Sequence, residues 1–220
     1  NKIRFNTVSL QWLANNIAIY GGKDIEITDN ILSDTVINGA GVNISTNFEP
    51  EPFEGTITVA RNSFIRCGGQ DTNHDMNNGA IWFNTVSGTD NRAFVIVKDN
   101  LILDSTWQGI SFMNKGTVAN VLLEGNTIEG CGSFGIDIAS GTKGEAIAKN
   151  NLIRNTMLEK INNEAEKTFN LIAEVEEDNI PISRHIKQGP DITLFLFVPI
   201  LVLIILSGLV IYFKKLKSKK

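Results

Sequence analysis

Asn6-Thr7-Val8, Asn30-Ile31-Leu32, Asn62-Ser63-Phe64, Asn100-Leu101-Ile102, Asn126-Thr127-Ile128 and Asn151-Leu152-Ile153 are six copies of one triplet, an Asn followed by any residue and then an apolar one. Their tightest spacing is about 25 residues, inside the range of solenoid repeats. Two wider gaps imply insertions. Between the triplets lie Ile17-Ala18-Ile19, Gly41-Val42-Asn43-Ile44, Ala80-Ile81-Trp82-Phe83, Gly109-Ile110-Ser111-Phe112 and Gly135-Ile136-Asp137-Ile138, each alternating with the period of two that marks a short strand. Further strands, Ile25-Glu26-Ile27, Thr56-Ile57-Thr58-Val59, Phe94-Val95-Ile96-Val97 and Val121-Leu122-Leu123, run into the next triplet. Three short strands per turn, separated by Gly, Asn and Asp, describe the rung of an all-β parallel β-helix.

The recurring Asn suits such a rung because it tolerates left-handed backbone at a corner and its amide can bond neighbouring rungs. Five residues beyond each triplet Asn stand Gln11, Thr35, Cys67, Ser105, Cys131 and Thr156. After the first, these are small side chains suited to a crowded inward column. Cys67 and Cys131 then sit two rungs apart, about 9 to 10 Å at the usual strand spacing. That exceeds the roughly 7 Å limit for a disulfide, so both are expected to be buried free thiols. Two Cys and two distant His give no metal-ligand spacing, and no metal or cofactor is expected.

Ile192 to Phe213 is apolar and uncharged, and five lysines follow within seven residues. At about 1.5 Å per residue this stretch spans a hydrocarbon core of about 30 Å. The lysines belong in the cytoplasm by the positive-inside rule, which places the body outside a cell membrane on a single-pass anchor. Without those lysines, fifteen basic residues face twenty-four acids, a net charge of −9. Such an acidic exterior argues against nucleic acid and suits a neutral ligand. The chain begins with Asn, carries no secretory signal, and opens on what looks like the later part of a turn, so it is expected to be a fragment. The organisation expected is about six rungs in 1–156, a terminal strand or helix in 157–176, a stem in 177–191, a transmembrane helix in 192–213 and a basic tail in 214–220. In 157–176, Leu158, Ile161, Ala165, Phe169 and Ile172 follow helical spacing, whereas Phe169, Leu171, Ala173 and Val175 alternate like a strand, which is the reading narrowly preferred.

A β-helix presents its chemistry on loops that leave the rung outline. One insertion, Ser45 to Gly55, carries Phe48, Glu49, Glu51 and Phe53; a second, Gly68 to Asn78, carries Asp71, His74 and Asp75. Trp82 and Trp107 are candidates to stack on sugar rings, although a strand Trp more often serves packing. Glu49, Asp71, His74, Asp75, Trp82 and Trp107 are therefore the substrate-binding candidates. Loop oxygens of Asp71, Asp75 and Glu49 also have the chemistry of a calcium site, but solvated loop acids explain them. Asp24, Asp34 and Asp104 fall at rung corners, where side-chain turns account for them.

The stretch Trp12 to Asp24, containing Ile19-Tyr20-Gly21-Gly22, continues through Ser33-Asp34-Thr35 to Thr46 and resembles the later rungs of the mycodextranase and α-1,3-glucanase type of β-helix glycoside hydrolase. The resemblance covers most of 1–156 and implies a right-handed coil acting on an α-glucan-like polysaccharide. Such enzymes pair carboxylates, one protonating the glycosidic oxygen and one activating water. The family's acids lie on a Gly-Asp-Asp stretch and an earlier Asp; no Gly-Asp-Asp occurs here, so the catalytic residues are expected upstream of Asn1. The expectation is the C-terminal portion of a membrane-anchored extracellular glycosidase, monomeric, with polysaccharide as partner. The alternative is a non-catalytic adhesin or carbohydrate-binding module. A polysaccharide lyase would want basic groups beside a uronate, and Arg61, Arg66 and Arg92 are too scattered to favour one.

Overall fold

The computed structural model of the chain describes residues 1–11, 14–35, 39–45, 53–71, 76–84, 93–112 and 120–175. All of them fall within one compact unit, Asn1–Asn179. Every regular element among them is a β-strand, and all but one short antiparallel pair stack into three parallel sheets. Sheet A contains Lys2–Arg4, Gly22–Thr28, Phe53–Ala60, Phe94–Lys98, Val121–Glu124, the first part of Gly144–Arg154, and Phe169–Val175. Sheet B, just beyond the triplet Asn, contains Thr7–Val8, Ile31–Ser33, Ser63–Ile65, Leu101–Leu103, Thr127–Glu129 and the second part of Gly144–Arg154. Sheet C contains Ile17–Ile19, Val42–Ser45, Ile81–Asn84, Ile110–Phe112, Ile136–Ile138 and Ile161–Asn163. Six complete turns are present among the described residues, and Phe169–Val175 opens a seventh. The coil thus runs past Thr156, and the stretch whose spacing also fits a helix contains the strands Ile161–Asn163 and Phe169–Val175 joined by a turn.

Register is set by alternation, since a one-residue slip would turn every inward side chain outward. Leu32, Phe64, Ile102, Ile128 and Ile153 stack in one inward row of sheet B, each buried. In sheet C, Ile44, Phe83, Phe112 and Ile138 form another, with the Phe83 and Phe112 rings 4.6 Å apart and 4° from coplanar. Like stacks on like because each rung repeats the same outline.

The triplet Asn does the bonding expected of it but not the bending. Its Nδ2 donates to the Oδ1 of the next Asn along Asn6, Asn30, Asn62, Asn100, Asn126 and Asn151, at 2.9–3.1 Å. The second Nδ2 hydrogen goes to a carbonyl of the preceding rung, such as Val59 O from Asn100 at 2.8 Å. Each Oδ1 also accepts the backbone N–H of the previous Asn. The left-handed conformation instead falls on the residue before the Asn: Phe5, Asp29, Arg61, Asp99, Gly125 and Asn150, with φ between 53° and 65°. A second left-handed column, Leu10, Asp34, Arg66, Asp104, Gly130 and Asn155, closes the other end of sheet B. An Asn in the αR or β region keeps its amide aligned with the stack, whereas the exposed neighbour absorbs the turn.

These two columns share one pattern, apolar-Asp-Arg-Asp-Gly-Asn. Arg61 bonds both carboxylate oxygens of Asp29, at 2.7 and 2.8 Å, and Arg66 bonds Asp34 at 2.6 Å. The guanidinium beside each carboxyl holds Asp29 and Asp34 below the usual carboxylate range. Sheet A carries its own charged ladder, Lys149 and Lys98 flanking Glu124 at 3.0 and 3.1 Å.

Phe53, placed in the first insertion by its sequence, is buried and belongs to the strand Phe53–Ala60. There Gly55 (φ +68°) bulges past Asp24, whose Oδ1 accepts the Thr56 N–H at 3.1 Å; a Cβ on Gly55 would lie 2.1 Å from that oxygen. Within the second insertion, Gln70–Asp71 and Met76–Asn77 pair antiparallel as a short hairpin leading into sheet C. Cys67 and Cys131 are free and buried, with Ser105 on the rung between them donating to Cys67 O at 2.8 Å. Burial pushes both thiols up to about 12. Thr35 and Ser105 share that buried column, while Thr156 is only half-buried. The expected stem, membrane span and basic tail lie outside the described residues; among those described, no helix is long and apolar enough to cross a membrane.

Candidate functional site on the outward face of sheet C

Alternate residues of a strand point to opposite faces, so the register of sheet C places Ala18, Asn43, Trp82, Ser111, Asp137 and Asn162 in one outward row. On a solvent-facing sheet such a row is exposed. Here Asn43, Trp82 and Ser111 are 3%, 6% and 2% exposed, so polar and aromatic groups are withdrawn from bulk water outside the apolar core. Asn43 Oδ1 and Trp82 Nε1 are buried with no hydrogen-bond partner among the described residues. Unpaired buried polar atoms are rare in folded proteins and mark a place where a further partner is needed. Ser111 is satisfied, its Oγ accepting the Gly79 N–H at 2.9 Å.

Asp137 is the ionisable member of the row. Its carboxylate accepts Nε2 of Gln108 at 2.9 Å and Nδ2 of Asn162 at 2.9 Å. Burial pushes its proton affinity above the usual carboxylate range; the two amides oppose that shift, and the Glu164 charge adds to it. Gln108 is itself buried, and its Oε1 has no partner among the described residues.

The turn entering sheet C is stacked as regularly as the strands. Ser133 N donates to Trp107 O at 3.2 Å and Leu158 N to Ser133 O at 3.3 Å, which aligns Trp107, Ser133 and Leu158. Gly109 N bonds Phe134 O at 3.1 Å and Gly135 N bonds Glu159 O at 3.4 Å, aligning Gln108, Phe134 and Glu159. Between the fifth and sixth rungs this turn and the sheet edge form a surface cleft lined by Phe134, Leu158, Glu159 and Asn162.

Of the residues expected to bind substrate, Trp82 stands in the outward row and Trp107, half-buried, in the adjoining turn, so both tryptophans belong to the same side of the coil. Asp71 lies in the hairpin strand Gln70–Asp71. Glu49, His74 and Asp75 lie outside the described residues. Asp137, Gln108, Glu159 and Asn162 escaped the sequence reading. The signal was present: aligning the Gly-apolar-x-apolar units puts Asn43, Ser111 and Asp137 at the same x, the row that the register confirms. Among the described residues no group of three or more His, Cys, Asp or Glu is placed to hold a metal ion. The arrangement offers hydrogen-bond acceptors, aromatic surface and a single half-buried carboxyl, a set suited to holding a polar, uncharged molecule.

Stacked parallel rungs, the amide ladder and an outward row of functional groups define a right-handed β-helix protein, and the chain belongs to that family: its model, described as "Right handed beta helix region", matches residues 1–157. Among solved structures the chain is similar to the catalytic unit of a thermostable GH87 alpha-1,3-glucanase from Streptomyces thermodiastaticus strain HF3-3. The TM-score is 0.69 and the identity 30%, over 78% of this chain and 34% of that one. The chain therefore spans about a third of the length of that catalytic unit. No curated protein matches it in sequence.

Proposed function

We propose that the chain is part of a carbohydrate-active β-helix of the glycoside hydrolase type, acting on an α-glucan-like polysaccharide outside the cell. The observation that carries this reading is the 30% identity to an α-1,3-glucanase catalytic unit, extended over 78% of the chain. The half-buried end of the outward row supports it, because Asp137 and Asn162, on the same side as the half-buried Trp107, offer the polar groups and aromatic face that a sugar's hydroxyls and C–H faces require. The stretch is proposed to bind and orient polysaccharide. Bond cleavage by this mechanism needs two convergent carboxylates, and the row itself carries one, Asp137. We further propose that Ile192 to Phe213 anchors the chain in the cell membrane, with the following lysines cytoplasmic and the coil outside.

Affinity electrophoresis in gels containing α-1,3-glucan, α-1,4-glucan or cellulose tests the ligand class. Retardation by α-glucan, weakened in Trp107→Ala, is expected; equal mobility in all gels contradicts the proposal. A non-catalytic surface module is the second reading, favoured by the lone carboxylate of the row. Retardation without release of reducing ends from α-glucan supports it.

A further inference from the structure

We infer that the cleft between the fifth and sixth rungs, lined by Phe134, Leu158, Glu159 and Asn162, is a binding subsite for a neutral sugar ring, with Asp137 as the positioning residue behind it. The inference rests on the carbohydrate reading above and assigns it a place. Its geometry comes from three neighbouring columns. Phe134 and Leu158 supply apolar surface, and Leu158 is 52% exposed. An exposed aliphatic beside an aromatic suits the C–H face of a pyranose.

Polar recognition comes from Glu159 and Asn162 on the cleft wall, oriented by the row behind them. Asp137 accepts one Nδ2 hydrogen of Asn162, leaving that amide's Oδ1 and its other hydrogen for different partners. It likewise accepts Nε2 of Gln108, which holds that amide in one orientation; the Gln108 Oε1 is buried, with no partner among the described residues. Gln108 stacks next to Phe134 in the same column, on the rung before the cleft. The wall is therefore rich in acceptors, the complement of a ligand whose hydroxyls donate. Asp137, Glu159 and the nearby Glu164 disfavour an anion at the same place.

The raised proton affinity of Asp137 agrees with a carboxyl held out of water by its surroundings. Its part is to lock two amides in one orientation, so it positions the ligand-binding groups and does not itself need to meet the sugar. A substitution that keeps its shape but adds a donor, Asp137→Asn, must set an N–H against either Gln108 or Asn162 and so disturb that lock.

The test uses the full chain purified in a detergent without a sugar headgroup and titrated with an α-1,3-linked gluco-oligosaccharide. Calorimetry gives the affinity, and NMR follows the Asn162 and Gln108 side-chain amide signals. Leu158→Ala and Asn162→Ala are expected to weaken binding about tenfold, the effect of losing roughly one good contact. Lys143→Ala, exposed and away from the cleft, is expected to leave binding unchanged. In the wild type both amide signals move on addition of the sugar; in Asp137→Asn their starting positions change and affinity falls while the far-ultraviolet circular dichroism is retained. Glu159→Gln, a surface change that leaves the rung intact, is expected to weaken binding as well. Wild-type binding with the affinity of all four cleft variants unaltered overturns the subsite and leaves the carbohydrate reading standing. Failure of the wild type to bind any α-glucan overturns both.

Discussion

The unit on which the coil depends is a single side-chain amide. Asn100 shows why: its Nδ2 donates to Asn126 Oδ1 and Val59 O, and its Oδ1 accepts both the backbone N–H and the Nδ2 of Asn62. Asn100→Ala would leave several buried partners unpaired at once. Each such group costs about 1–3 kcal/mol, so a loss of roughly 3 kcal/mol or more is expected, read as a lower urea midpoint at unchanged slope. Asn100→Asp keeps the acceptor but loses the donor and should also destabilise. A midpoint shift near zero for Asn100→Ala would show that the ladder is incidental. The thiols give a second prediction at this scale. With both raised to about 12 by burial, Cys67 and Cys131 should resist a thiol-specific chromogenic reagent at pH 8 in the folded chain. Both should react when it is unfolded in denaturant, because the thiolate is the reactive form. Rapid labelling of the native protein would contradict the burial of that column.

At the scale of the element, the outward faces of sheets A and B are exposed and mixed, with Ile31, Phe94, Leu101 and Ile147 among charged residues, whereas the outward row of sheet C buries Asn43, Trp82 and Ser111. The charged groups of the coil respond to pH in opposite senses. Asp29, Asp34 and Glu124 are held low by their basic partners, so their contribution to stability is present above the ordinary carboxylate range and is lost as pH falls through their depressed values. Asp137 is held high, chiefly by burial; the folded chain keeps its proton where the unfolded chain has released it. Stability should therefore rise as pH falls through that raised value toward the ordinary range, before the other carboxylates reverse the trend. Asp137→Asn should flatten the rise in a series of melting temperatures against pH while leaving the acid-side loss in place. A profile identical to the wild type would place Asp137 in an ordinary solvated environment.

Sheet C also shows what sequence could and could not supply. Strand positions and register were legible because triplets and Gly-apolar-x-apolar units recur in phase, and a buried β-helix core demands that phase. The free cysteines followed from the same phase. The corner was read one residue late: Asn was credited with the left-handed turn because its side chain tolerates it, yet Asp, Arg and even Phe5 and Leu10 occupy those positions. Asp137 was passed over because alternation alone makes an outward Asp look like solvent-facing filler. Only the three-dimensional row shows that its neighbours are buried. Loop acids such as Asp71 drew attention instead, since departure from a repeat is easier to see than an unusual residue inside it.

Over the whole coil, each rung contacts chiefly its neighbours, so stability should be graded along the stack. Phe5 and Leu10 of the first rung are 80% and 70% exposed, whereas Ile57, Val95 and Phe64 in the middle rungs are fully buried. Native-state hydrogen exchange should protect the amides of Phe53–Ala60, Phe94–Lys98 and Val121–Glu124 most strongly and those of Lys2–Arg4 least. Uniform protection along the coil would mean that the rungs open together. The proposed anchor makes a separate prediction: the chain should stay with membranes through alkaline carbonate washing, and deletion of 192–213 should release it. Recovery of the complete chain in the wash would remove the tether without touching the fold.

On the reading proposed above, the outward face of sheet C and the turn leading into it receive an α-glucan. A crystal structure of the protein with an α-1,3-linked gluco-oligosaccharide tests it most directly. Sugar density running along the side that carries Trp82, Trp107, Asp137 and Asn162, with a ring seated against Phe134 and Leu158, is the predicted result. Sugar bound on sheet A or sheet B while that side stays bare would contradict it.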